Sequence, residues 1–236
     1  FLEDVSGPEE IRKQLAQIGE RDDAAIDPAE AALLLAGLDH PDVDVFGYRR
    51  HLAGLAADVA ALGHRGNTLE GRAWAVTRAL FERHGYQGDR SSYDNMDNAD
   101  LISVIDRKMG IPVSLGILYI HVARSMNWVV EGLNFPSHFL LRLDGEGERA
   151  IVDPFDDGAI LEPPALRDLA KQVLGTNTEM DRAWFEPVGN RSVLLRLQNN
   201  IRTRALQNGE LDRGAEVTRR MILIAPGSKG LQRDLG

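Results

Sequence analysis

The chain contains no cysteine. Disulfide staples, thiolate metal sites and a cysteine nucleophile are therefore excluded, and the absence fits a reducing compartment, so a cytoplasmic location is expected. No uninterrupted apolar run reaches the roughly 18 residues of a bilayer span. Nothing at the start has the pattern of a secretory signal, but residue 1 is Phe rather than Met, which leaves room for a leader ahead of it. There is no G-x-x-x-x-G-K-[ST] or G-x-G-x-x-G segment, so no phosphate-cradling loop is indicated, and the six histidines show no H-E-x-x-H spacing. Neither a cofactor nor a metal is expected. Basic charge is also short: the net charge of −9 argues against general nucleic-acid binding.

What is present is an ordinary globular composition, 43% hydrophobic and 27% charged over 236 residues, enough chain for a sizeable core. The charge is uneven. Residues 1–60 hold 13 acidic and 5 basic side chains, whereas residues 189–236 hold 9 basic and 4 acidic. A basic C-terminal part can meet an acidic partner, or its arginines simply coat exposed helix faces.

Apolar spacing predicts helices over Pro8 to Ile18, from Pro28 to a break at His40-Pro41, over Tyr48 to Leu62 and over Thr68 to His84. A polar loop, Tyr86 to Asn98, then leads into a helix beginning near Leu101 and capped by Asp97 or Asn98. A dozen residues without regular structure are enough to line a site. Asn95, Asn98 and Asp100 are ligand candidates there, although as caps and turn formers they already have a reason to exist. Beyond the central region, a helix from Pro163 to Leu174, a polar linker and an anchoring turn at Trp184-Phe185 precede two helices, Ser192 to Leu206 and Leu211 to Ile224. The 34 residues from Val193 to Pro226 match the period of a tetratricopeptide unit, and a single unit needs neighbours to cover its apolar face.

The informative stretch runs from Gly110 to Asp157. After Pro112, Ser114 leads an apolar run of buried-helix length, and three strands follow: Trp128 to Leu133, His138 to Leu143 and Arg149 to Val152. Ser114 at a helix start, His138 at a strand start and Asp153 at a strand end can converge on one cleft as nucleophile, base and orienter. Each also has a structural reading. Serine is a common helix cap, a strand histidine can be held by one hydrogen bond, and Asp153 before Pro154 can close a turn. As metal ligands His138 and Asp153 are only two.

Five segments in fixed order (Ala79 to Asp89, Asn98, Gly110 to Leu115, Gly132 to Arg142 and Val152 to Gly158) closely resemble the bacterial SirB-type, transglutaminase-like family, which also carries a tetratricopeptide-like tail. The resemblance spans roughly residues 30 to 236. It implies an α+β fold with a papain- or transglutaminase-like core, a central helix packed on a small antiparallel sheet, and a site in the order Ser114, His138, Asp153. Active transglutaminases have cysteine at the first position. A helix N-terminus and a neighbouring imidazolium stabilise a thiolate, but a serine hydroxyl is too weak an acid to be held as an alkoxide. Serine would need His138 as base during attack. Ser137 stands where the family commonly has glycine.

The expected organisation is a helical part over residues 1–85, the core over 86–187 and a tetratricopeptide-like helical part over 188–236. The expected function is that of a regulatory, non-catalytic protein binding a protein or peptide partner, with no nucleic acid and no membrane span. The competing expectation is a serine-dependent hydrolase or acyl transferase using Ser114, His138 and Asp153.

Overall fold

A computed structural model describes residues 7–62, 68–145, 147–177 and 179–235. Helix α1 (Pro8–Gly19) opens with Pro8 and two glutamates in its first turn and buries Ile11, Leu15 and Ile18. Helix α2 (Pro28–Gly37) is capped by Asp27, whose carboxylate accepts from the backbone N–H groups of Ala29 and Glu30. It is apolar on almost every side and buries every residue but Glu30, as its Leu-Ala content predicts. Helix α3 (Val45–Leu62) begins three residues before the expected Tyr48, because the Asp44 carboxylate caps it by accepting from Phe46 N–H at 2.9 Å. Helix α4 (Leu69–Thr77) is capped by the Thr68 hydroxyl on Gly71 N–H and widens into a π turn over Arg78–Arg83.

The polar loop contains a two-residue strand, β1 (Gln87–Gly88), that pairs in parallel with β2 (Met109–Gly110). Between them, α5 (Leu101–Arg107) is capped by Asp100, which accepts from Ser103 N–H, rather than by Asp97 or Asn98. It ends where Lys108 takes a left-handed φ of 57°. Central helix α6 (Pro112–Ser125) has 11 of its 14 residues buried and reaches solvent only at its C-terminal end, through His121, Arg124 and Ser125. Leu115, Ile117, Leu118, Tyr119, Ile120 and Val122 are at most 1% exposed, each burial contributing roughly 1.5 to 3 kcal/mol.

The five-stranded antiparallel sheet is built from β3 (Val129–Leu133), β4 (Leu141–Gly145), β5 (Glu148–Asp153), β6 (Ala159–Ile160) and β7 (Pro187–Val188), in the order β6-β5-β4-β3-β7. Leu141 is opposite both Gly132 and Val152. Period-two alternation divides its faces: Ala150 and Val152 of β5 join the main core around α6, while Ile151 packs with Leu133, Phe135 and Leu140 against Leu166 and Ala170 of α7 (Pro163–Leu174). Trp184 and Phe185, the expected anchors, set their rings edge-on to Phe135 at centroid distances of 5.8 and 6.2 Å.

The last helices are α8 (Asn190–Gln207), α9 (Leu211–Ile224) and α10 (Lys229–Leu235). The pair α8 and α9 packs on the rest of the chain: α1 and α10 lie against α9, and α2 and α6 against α8. At Gly19 a Cβ would come 2.0 Å from the Leu223 carbonyl oxygen, so a side chain there would push α1 off α9. One continuous core runs from Ile11 to Leu231.

Candidate functional site

The turn between β3 and β4 carries the first functional side chain. His138 lies in a bend three residues before β4, not at the strand start, because Pro136 and Ser137 form a turn there. Ser137 has φ of +54°, the left-handed region that glycine enters without strain. The next residue, Phe139, anchors the turn. Its ring lies where a Cβ on Gly116 of α6 would approach to 2.5 Å and one on Gly132 of β3 to 2.6 Å, so the two glycines form its slot. With Phe139 fixed, the His138 ring projects onto a cavity of about 350 Å³.

Asp153, the last residue of β5, sits beside that ring. His138 Nε2 is 2.9 Å from both Asp153 carboxylate oxygens, and their side chains are 12% and 7% exposed. The same carboxylate accepts from Phe155 N–H at 2.9 Å, and the Phe155 ring stands edge-on to His138. Asp153 therefore holds Nε2 and leaves Nδ1 as the other functional nitrogen of the ring.

Ser114 is not brought to this cavity. Pro112 begins α6 two residues earlier than expected, and as first helical residue it gives up only an N–H that would be unsatisfied anyway. Ser114 thereby becomes the third helical residue and turns inward, 0% exposed. Its Oγ accepts from Ile111 N–H at 3.1 Å and directs its proton to Asn98 O at 2.7 Å, with Ile111 O at 3.0 Å as a second acceptor. A Cβ on Gly110 would lie 2.5 Å from this hydroxyl, so glycine there makes its seat. The part of the helix start that lines the cavity opposite His138 is Ile111, Pro112 and Val113, none with a nucleophilic side chain.

The polar loop does line the cavity, but through Tyr93 and Asp94. The candidates Asn95, Asn98 and Asp100 are structural: Asn95 accepts from Asp97 N–H, Asn98 donates to Ser92 O and accepts from Arg107, and Asp100 caps α5. Asp89 ties the loop down. Burial raises its pKa, yet bonds from the Ser92 hydroxyl and N–H, from Asn98 and from Ser91 outweigh this and hold the carboxyl well below the usual range.

The remaining wall belongs to α8 and was not read from the sequence. Arg196, Asn199, Asn200, Thr203, Arg204 and Gln207 all line the cavity. Their spacing of three and four residues is the signal that could have found them, a polar stripe on one helix face. Arg204 is 8% exposed and pairs with Asp94 at 3.2 Å. Arg196 donates to the carbonyls of Phe135 and His138, bracketing the turn, and stacks over Phe139 at 5.4 Å. Burial lowers its pKa from the usual arginine value. Among the described residues no group of three or more histidines, cysteines or acids could hold a metal, and no helix is long and apolar enough to cross a membrane.

A central helix facing a sheet, with His and Asp paired across a strand end, defines a transglutaminase-like architecture. The chain matches the profile of the transglutaminase-like superfamily over residues 47–199 and belongs to that superfamily. A UPF0162 protein of Xylella fastidiosa (strain Temecula1) is 30% identical over 222 residues, covering 91% of this chain and 78% of the relative. A UPF0162 protein of Vibrio cholerae is 34% identical over 134 residues, 56% of this chain and 49% of its own. The mouse protein named F-box only protein 21 is 40% identical over 82 residues, 35% of this chain and 13% of that protein. No solved structure matches.

Proposed function

We propose that this chain is a transglutaminase-like protein whose cleft binds a protein or peptide segment without covalent catalysis, in a regulatory role and in the cytoplasm. One observation carries the reading: the helix start opposite His138 offers Ile111, Pro112 and Val113, while the Ser114 hydroxyl is fully buried and hydrogen-bonded to backbone groups. Attack by Ser114 would require breaking these bonds and turning the side chain out of the core before His138 could take its proton. Helix α8, the first of a pair with the length of a tetratricopeptide unit, supplies one wall of the binding cleft.

The alternative, a hydrolase or acyl transferase using Ser114, His138 and Asp153, draws on the His138–Asp153 pair at 2.9 Å beside an open cavity. The test is fluorophosphonate labelling and turnover of an activated ester from pH 6 to 9, with Ser114→Ala as control. The binding reading expects no labelling or turnover that Ser114→Ala removes. Labelling of Ser114 with Ser114-dependent turnover would establish the enzyme instead.

A further inference from the structure

The cavity has one cationic, hydrogen-bonding wall and one apolar wall. Arg196 has five N–H donors, and its three contacts go to Phe135 O from Nη1 and Nη2 and to His138 O from Nη2. Two donors are left, on Nε and Nη1, with no protein acceptor among the described residues. No carboxylate of those residues lies within ion-pair distance of Arg196, although the chain as a whole carries net charge −9. Carbonyls satisfy geometry but not charge, so a partly desolvated guanidinium of this kind favours an anion. Arg204, on the same wall, pairs with Asp94, and its buried Nε has no hydrogen-bond partner among the described residues, so it is a second donor beside Arg196. The apolar part of the lining is the helix start, Ile111, Pro112 and Val113, while Phe139 lies beneath the Arg196 guanidinium.

We propose that the cavity is a carboxylate-binding site for peptides, taking a chain-terminal or side-chain carboxylate on Arg196 and an adjoining apolar group against Pro112 and Val113. This rests on reading the cleft as a binding site, and it names the ligand class.

The test is a titration of the full chain, by NMR at the Arg196 Nε–H resonance and by calorimetry. One pair of probes is N-acetyl-leucine against N-acetyl-leucinamide, and a second is N-acetyl-glutamate α-amide against N-acetyl-glutamine α-amide. Inorganic phosphate is the fifth probe. At least one acid is expected to bind about tenfold or more tightly than its amide and to move the Arg196 signal, and which acid does so separates a chain terminus from a side chain. Arg196→Met should remove the preference. Equal binding of acid and amide, no binding of either acid, or binding of phosphate alone would each overturn the proposal, as would an acid preference kept in a folded Arg196→Met protein. Should that variant fail to fold, the wild-type Arg196 resonance decides. Ser114-dependent labelling would sink the non-catalytic reading, yet the acid-against-amide comparison can still be run on Ser114→Ala, so the two failures are distinguishable.

Discussion

The start of α6 and the turn over residues 134–140 border the same cavity, and the fold treats their polar side chains oppositely. Ser114 is directed inward, where three backbone contacts engage its hydroxyl. His138 is directed outward, with one ring nitrogen held by Asp153. A serine in the first turn of a helix can satisfy orphan backbone groups, and that role is incompatible with presenting a free nucleophile. A histidine raised on a turn by the phenylalanine beneath it has no such competing demand.

The largest break in this comparison comes from the phenylalanine. Phe139→Ala empties the slot between Gly116 and Gly132 and should lower stability by about 3 to 5 kcal/mol in denaturant unfolding, taking the His138 turn with it. On the opposite side, Ser114→Ala should cost about 1 kcal/mol, because Asn98 O loses the Ser114 hydroxyl and Ile111 N–H keeps only its longer bond to Asn98 O at 3.3 Å. If Ser114→Ala were neutral in stability, the inward role assigned to the hydroxyl would fail.

A second histidine sharpens the contrast. His51 Nε2 lies 2.8 Å from Tyr86 Oη and 3.2 Å from Lys108 Nζ, and burial first, then the Lys108 charge and His84, push its pKa down to about 4. The unfolded chain binds a proton near pH 6.5 that the folded chain refuses. This site's contribution is therefore complete above pH 6.5 and lost as the pH falls toward 4. Partial exposure discounts the loss to about 1 to 2 kcal/mol. Unfolding free energies measured across that range should fall less in His51→Gln than in the parent. The smallest effect belongs to Ser137→Gly, which relieves a left-handed backbone but frees the unfolded chain. A net gain below about 1 kcal/mol is expected by thermal unfolding, with the His138–Asp153 pair unchanged.

Much of this was legible in the residues. The burial of α2 and α6 followed from their apolar content, the strands from alternation and turn residues, and the capping of α2 from Asp27-Pro28. Less legible were the short strands β1, β2, β6 and β7, each two residues long and so without a period to read. Helix α10 lacks an apolar stripe and buries only Leu231.

By itself the sequence determined the longer helices and strands and the buried helix before the sheet, because these rest on local periodicity and turn chemistry. The pairing of His138 with Asp153 was what the family resemblance implied. Only the tertiary structure decided that Ser114 faces Asn98 rather than His138. With the helix starting at Pro112, Ser114 is its third residue rather than its cap, and its hydroxyl reaches back to the backbone of the preceding turn. It also decided that Arg196, 58 residues beyond His138, closes over the turn. No local pattern encodes which wall a polar helix face will meet; the packing of α8 against α6 does.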